Sequence, residues 1–263
     1  MPKLPTISEL ISLTSKHALV TGSASGIGKA IATRFAEAGA KLSLVDLDAQ
    51  NLERTKKELE NMGAKVETYR VDLANKSEID KLWQDLKTDK IDVLVNNAGI
   101  YPFKHFKDID QEFYQKTMAV NLESVVWMCQ NMIRQTKQGA IVNIASIEAL
   151  LPFKDDLAIY STSKAAVVAL TRALAKEHAQ KGIKINAIIP GGIITPGTMS
   201  AAKQVLKGNF ALVKTGIDFK TRLPMGRMGQ ADEVARIALV LASELSSYMH
   251  GAAIPVDGGF LSA

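Results

Sequence analysis

The chain has 263 residues, 47% of them hydrophobic and 22% charged, with only 8 Pro, which excludes general disorder and collagen-like repeats and suits one domain with a sizeable core. Its net charge of +5 is modest for a nucleic-acid binder, and no run of about 20 apolar residues marks a membrane span. One cysteine, Cys129, and four scattered histidines offer neither an internal disulfide nor a zinc-ligand spacing.

The start, MPKLPTISEL, lacks the basic segment and apolar core of a secretion signal, so a reducing, cytoplasmic location is expected. From residue 17 onward, apolar strand-like runs alternate with helical patterns, the mark of a parallel sheet covered by helices. Seven strands are expected, over 17–21, 41–46, 64–71, 91–95, 140–144, 183–188 and 253–256. Helices over 27–38 and 49–62 each end at a glycine, Gly39 and Gly63, suited to the left-handed closing residue. Asp48 reads as an N-cap, and Asn75 with Glu78 as a capping-box-like start. The mixed charges of 52–60 read as a solvated helix face. Residues 192–224 interrupt every candidate element with Gly, Pro and polar residues, which fits a lid or binding loop.

The first strand runs into Thr21-Gly22-Ser23-Ala24-Ser25-Gly26-Ile27-Gly28 and then directly into a helix. Glycines here permit a tight turn and bring backbone N–H groups close to a pyrophosphate, whose charge a helix N-terminus favours. Gly22, Ser25, Gly26, Ile27 and Gly28 are therefore candidates for holding a dinucleotide. Asp46 ends the second strand eighteen residues past Gly28, near the offset at which an acidic group meets the adenosine ribose. It favours NAD over NADP, because a 2′-phosphate about 4 Å away would meet a repulsion of roughly 1–4 kcal/mol. Neither Ser25 nor Leu47 supplies a compensating cation. The structural alternative is that Asp46 is a strand-ending turn residue.

Tyr160 and Lys164 stand four residues apart at the start of an apolar helix expected to reach about Ala179, so they share one face. A cation beside a phenol lowers its pKa toward working pH, which suits a general acid or base. The chain resembles the short-chain dehydrogenase/reductase family in its classical subgroup. The resemblance rests on Thr21 to Gly28, Asp72, Asn96-Asn97-Ala98-Gly99, Asn121, Ser146, Tyr160 with Lys164, Pro190-Gly191 with Thr195, and Val256-Asp257-Gly258-Gly259, in family order from about residue 16 to 260.

That resemblance implies one Rossmann-like α/β domain over 1–263, a doubly wound parallel seven-stranded sheet with helices on both faces and a substrate lid at about 192–224. It implies an NAD-dependent oxidoreductase that interconverts a secondary alcohol and a ketone by hydride transfer, with a catalytic set of Asn121, Ser146, Tyr160 and Lys164. Tyr160 exchanges the proton, Ser146 orients the substrate oxygen, Lys164 lowers the phenol pKa and holds the nicotinamide ribose, and Asn121 positions a water. Asp72 and Leu73 would lie near adenine, Asn97, Ala98 and Gly99 beside the adenosine ribose, and Ile193 and Thr195 by the nicotinamide amide. Asn97 and Gly99 also read as a structural turn. The family's usual homotetramer would use helices near 110–135 and 158–180, although Val167, Leu170 and Leu174 suit core packing equally. Met118, Met128 and Met132 read as core filler.

The insertion in 148–156 puts Ser146 fourteen residues before Tyr160 where thirteen is commoner in the family. Leu151 and Phe153 there either line a pocket or pack the loop. Glu148 either hydrogen-bonds substrate hydroxyls or is a solvated loop residue. Between Gly192 and Arg227, Lys203, Lys207, Lys214, Lys220, Arg222 and Arg227 face Asp218 alone, so the lid either draws in an anionic substrate or carrier or carries solvated lysines. Sugar, polyol or hydroxy-acid substrates fit Asp46, whereas a 3-oxoacyl carrier reductase fits the basic lid. A catalytically silent NAD-binding protein would be expected to have lost a member of the catalytic set, and none is missing. Aromatic residues to stack bases are few beyond Phe210 and Phe219, so no nucleic-acid partner is expected.

Overall fold

The structure is a computed structural model that describes residues 4–199 and 221–263. Its strands are β1 (His17–Thr21), β2 (Lys41–Asp46), β3 (Val66–Arg70), β4 (Val93–Asn96), β5 (Gly139–Ile144), β6 (Ile183–Pro190), β7 (Ile193–Ile194), β8 (Gly229–Gln230) and β9 (Ala253–Val256). Seven of them pair in parallel in the order β3-β2-β1-β4-β5-β6-β9, which is the sheet expected from the sequence. The short parallel pair β7–β8 stands apart. The third and fourth strands are shorter than expected. Pairing of β3 begins at Val66 opposite Leu42, and Asp92 precedes β4, where its Oδ2 accepts from the His17 N–H at 3.0 Å.

The helices are α1 (Ile7–Ile11), α2 (Gly26–Glu37), α3 (Ala49–Asn61), α4 (Lys76–Asp85), α5 (Gln111–Met118), α6 (Ser124–Gln135), α7 (Ala158–His178) and α8 (Ala231–Ala242). Successive side chains of a strand point to opposite faces, and two cores result. Leu19, Val45, Leu94 and Ile141 pack with α4, α6 and α7 on one face. Val20, Leu44, Val95 and Val142 pack with α2, α3 and α8 on the other.

Local chemistry sets the ends of these helices. Asp48 caps α3 by accepting from the Asn51 N–H at 3.0 Å, and Asn75 caps α4 by accepting from Ser77 N–H at 3.0 Å. Glu78 does not close a box onto Asn75 N–H; its Oε2 takes the Asp72 N–H instead, at 2.8 Å. In α3, Leu52, Thr55 and Leu59 turn inward and leave the charges of 52–60 toward solvent. Met128, Met132 and Val167 are buried in the first core, and Leu170 and Leu174 pack against it.

The chain winds outward from β1 through β2 to β3, then returns to lay β4 on the other side of β1. The winding direction reverses between β1 and β4, and outside the carboxyl ends of such strands is where ligands bind in open α/β sheets. No helix among the described residues is long and apolar enough to cross a membrane.

Candidate active site

The turn after β1 folds backbone against backbone. A Cβ on Gly28 would stand 2.0 Å from the Gly22 carbonyl oxygen, and one on Gly22, whose φ is +65°, would stand 2.8 Å from the Ala98 Cα. Only glycine fits at either position. Ser25 precedes α2 without a side-chain cap, so the first N–H groups of this twelve-residue helix are left to a ligand or water. Ile27 turns back onto the second core. A cradle of this shape fits a dinucleotide pyrophosphate.

Asn97 braces that turn, its Nδ2 donating to Thr21 O at 2.9 Å and to Gly22 O at 3.0 Å. The Thr21 hydroxyl in turn accepts from the N–H groups of Asn97 and Ala98, both at 3.0 Å. The structural-turn reading of Asn97 is therefore realised in its side chain. Asp46 is also tied into the turn, accepting from Ala24 N–H at 2.9 Å and from Asp48 N–H at 3.0 Å. Asp72 accepts from Ala74 N–H at 2.9 Å, while the Leu73 side chain is buried in the first core and leaves only its backbone to face a ligand. The segment after β7 overhangs the same turn: a Cβ on Gly26 would lie 3.3 Å from Thr195 Cβ. Ile193 is buried beside it.

Ser146, Tyr160, Lys164 and Asn121 converge past the carboxyl ends of β4 and β5. Tyr160 and Lys164 share a face of α7 as their spacing predicts. Asn121 is fully buried within a π-turn, Ala119–Glu123, that joins α5 to α6. It grips the backbone of Ile100 from both sides, accepting its N–H at 2.8 Å and donating to its carbonyl at 3.0 Å. A Cβ on Gly99 would come within 3.3 Å of both Asn121 Oδ1 and Lys164 Nζ, so a bare glycine backbone lies between these two groups.

The electrostatics differ from expectation. Burial pushes the Tyr160 phenol up to about 12, Ser146 lowers it by hydrogen bonding to it, and the charge of Glu148 adds to the rise. Lys164 was expected to bring the phenol down. Instead its own ammonium is brought down to about 8 by burial, and Nζ donates to Ile144 O at 3.0 Å. Desolvation is the leading cause of both shifts.

Glu148 corrects a second expectation, for it is not a solvated loop residue. It is 2% exposed, its Oε2 accepts from Ser161 Oγ at 3.1 Å, and burial pushes its carboxyl above the ordinary carboxylate range. Oε1 has no partner within hydrogen-bond distance among the described residues, and the Phe153 N–H lies near enough to favour the charged form. Leu151 and Phe153 both pack against the core, and Phe153 meets Phe260 with ring centroids 5.0 Å apart. A cleft of about 500 Å³ lined by Glu148, Lys154, Leu157, Ser161 and Thr162 opens beside this loop, but Tyr160 and Ser146 do not line it.

Sequence patterns single out neither Tyr101, which touches Tyr160, nor Lys154, which lies over Tyr101. The Tyr101 ring meets the Tyr160 ring edge to face at 4.7 Å, and Lys154 Nζ lies over the rings of Phe103 at 4.3 Å and Tyr101 at 6.0 Å. The available signal was position: Tyr101 follows two residues after the Asn96–Gly99 motif, and Lys154 is the one cation in the 148–156 insertion. Most of the expected basic lid, with Lys203, Lys207, Phe210, Lys214, Asp218, Phe219 and Lys220, lies outside the described residues. Of its remaining cations, Arg227 pairs with Glu233 at 2.7 Å and Arg222 stacks on Phe260 at 5.0 Å.

Comparison with known proteins agrees with this geometry. A family model described as enoyl-(acyl carrier protein) reductase matches residues 22–261. The 3-oxoacyl-acyl-carrier-protein reductase FabG of Thermotoga maritima is 35% identical over 95% of this chain and 99% of its own. The NAD-dependent glycerol dehydrogenase of Listeria innocua is 36% identical over 95% of each chain. Among solved structures, the L-sorbose reductase of Gluconobacter frateurii, in complex with NADPH and L-sorbose, superposes with a TM-score of 0.89. It is 30% identical, with 97% of this chain and 99% of that one covered.

Proposed function

The chain belongs to the classical short-chain dehydrogenase/reductase family, and from that premise we propose that it is an NAD-dependent oxidoreductase interconverting a secondary alcohol and a ketone. The preferred substrate is a sugar, polyol or hydroxy acid. The observation that carries the reading is the convergence of Ser146, Tyr160, Lys164 and Asn121 beside the Gly22–Gly28 turn. When bound, the nicotinamide supplies the hydride acceptor or donor at the reacting carbon. The protein does the rest.

Ser146 follows β5 in an extended conformation and presents its hydroxyl beside the Tyr160 phenol, where both bond the substrate oxygen. In reduction, Tyr160 Oη gives its proton to the carbonyl oxygen. In oxidation the phenol first passes its own proton toward the neutral form of Lys164, and the resulting phenolate takes the proton from the alcohol while Ser146 steadies the charge on oxygen. The Lys164 ammonium, held over the Ile144 carbonyl, is placed to restore the proton, and Asn121 fixes the Ile100 backbone that walls this corner. Gly22, Ser25, Gly26, Ile27 and Gly28 would hold the pyrophosphate, with Asp72, Leu73, Asn97, Ala98 and Gly99 toward the adenosine half and Ile193 and Thr195 toward the nicotinamide.

NAD is preferred because the Asp46 carboxylate at the end of β2 would repel a 2′-phosphate and neither Ser25 nor Leu47 supplies a cation, Arg70 on β3 being its register partner. The similarity to a carrier-linked reductase favours a second substrate reading, a 3-hydroxyacyl thioester. Change in reduced-nicotinamide absorbance, with NAD and separately NADP, over sugars, polyols, hydroxy acids and 3-hydroxyacyl thioesters tests both. NAD-linked turnover that Tyr160→Phe reduces by about 10²–10⁴ is the expected result. Turnover with NADP alone would overturn the Asp46 argument.

A further inference from the structure

Around the mouth of the Tyr160 site, ion pairs hold two of the nearby cations and leave Lys154 out. His105 Nδ1 meets Asp156 Oδ1 at 2.7 Å, Lys104 pairs with Asp110, and Glu148 is engaged by Ser161. Lys154 makes no ion pair among the described residues. Its side chain is partly buried, with the ammonium over Phe103 and Tyr101. The two carboxylates whose fields reach it, Glu148 and Asp156, are the ones committed to Ser161 and His105.

A partly buried cation walled by rings has lost some of its water without gaining a directly paired anion. An anion arriving there is bound more strongly than at an open surface, because the aromatic walls keep the local dielectric low. Lys154 and Tyr160 both touch one ring, Tyr101. A short substrate whose alcohol carbon sits at Tyr160 and Ser146 therefore passes Tyr101 before it reaches the ammonium.

Building on the oxidoreductase reading, we infer that Lys154 recognises a carboxylate on the substrate, which makes the preferred alcohol a hydroxy acid such as a sugar acid, not a neutral polyol. Tyr101 forms the wall between the reacting carbon and that carboxylate. Phe103 holds the ammonium in place by cation–π contact.

The test uses the full-length enzyme with its nicotinamide cofactor and aldonates paired with alditols of equal chain length and hydroxyl configuration. The readout is the ratio of kcat/KM for aldonate over alditol. The wild type is expected to favour the aldonate. Lys154→Met should lower the ratio by about tenfold or more, chiefly through KM, since it removes a charge-assisted hydrogen bond. Lys154→Arg should hold the ratio within about threefold, because it keeps the charge. A merely structural loss would lower both substrates together and leave the ratio in place, which would overturn the inference. So would a wild type that turns over only alditols or 3-hydroxyacyl thioesters, and that outcome leaves the oxidoreductase reading standing. No cofactor-linked turnover with any of these substrates would overturn both.

Discussion

Glu148 shows how one buried side chain couples stability to the chemistry next to it. Its carboxyl is held above its ordinary 4.5, first by burial, with the Ser161 hydroxyl and the Phe153 N–H opposing the shift. An acid whose folded pKa is raised contributes stability that is complete below the unfolded value and is lost as pH rises through the folded one. The charged carboxylate is the form that burial penalises, and Gln keeps an acceptor for Ser161 without the charge. Glu148→Gln should therefore gain thermal stability relative to wild type as pH rises above 4.5, with the gap in Tm wider at pH 8 than at pH 5. Scanning calorimetry at both values checks this, and a gap independent of pH would refute it. The sequence could not show this burial. Tyr160 and Lys164 were legible because four residues on a helix fix a shared face, whereas Glu148 is buried with a hydrogen bond to Ser161, thirteen positions away. The direction of the Tyr160 shift was hidden for the same reason, since it depends on how deeply the pocket desolvates the phenol.

At the level of elements, what local chemistry dictates was readable and what tertiary contacts dictate was not. The caps at Asp48 and Asn75 and the glycine turn after β1 follow from nearby residues alone. The π-turn at Ala119–Glu123 does not, because it is held by Asn121 bonding to Ile100, twenty-one residues earlier. Irregular turns of this kind inside helices are frequent at functional sites, and this one brings a fully buried amide against the loop that follows β4. The turn after β1 makes a sharp prediction. Gly28→Ala places a methyl 2.0 Å from the Gly22 oxygen, and overpacking of this sort costs about 1–3 kcal/mol when the backbone must yield. The backbone that yields is the cradle itself. Fluorescence titration should show cofactor Kd raised about tenfold or more, alongside a lower Tm. A variant that binds the cofactor as tightly as wild type would show that the close approach of Gly22 and Gly28 has no bearing on binding.

Polar groups gather at both ends of the sheet, with a further buried set of Asn96, Asn143 and Thr171 between β4, β5 and α7. At the carboxyl ends lie the glycine turn and the Ser146–Tyr160 pair. Toward the amino ends, a network anchored on the buried His17 and Ser43 crosses three adjacent strands. His17 Nε2 meets Ser43 Oγ at 2.9 Å, His17 Nδ1 lies 3.2 Å from Asp89 Oδ1, and Lys41 bridges Asp89 and Glu67. The Tyr69 hydroxyl donates to Glu67 at 2.9 Å. Ser43 is fully buried, which bars a substrate from it and makes the network a structural one. Burial holds the His17 pKa below 6.5, against the pull of Asp89. A base whose folded pKa is depressed contributes stability that is complete above the unfolded value and is lost as pH falls toward the folded one, because the unfolded chain then binds the proton more readily. His17→Gln keeps a donor for Ser43 and removes the titration. Wild type should lose Tm on going from pH 7.5 to pH 5.5 more steeply than this variant does. His178, also lowered by burial, retains part of the slope in both proteins. Equal slopes in the two proteins would mean that His17 takes up its proton as freely in the fold as outside it.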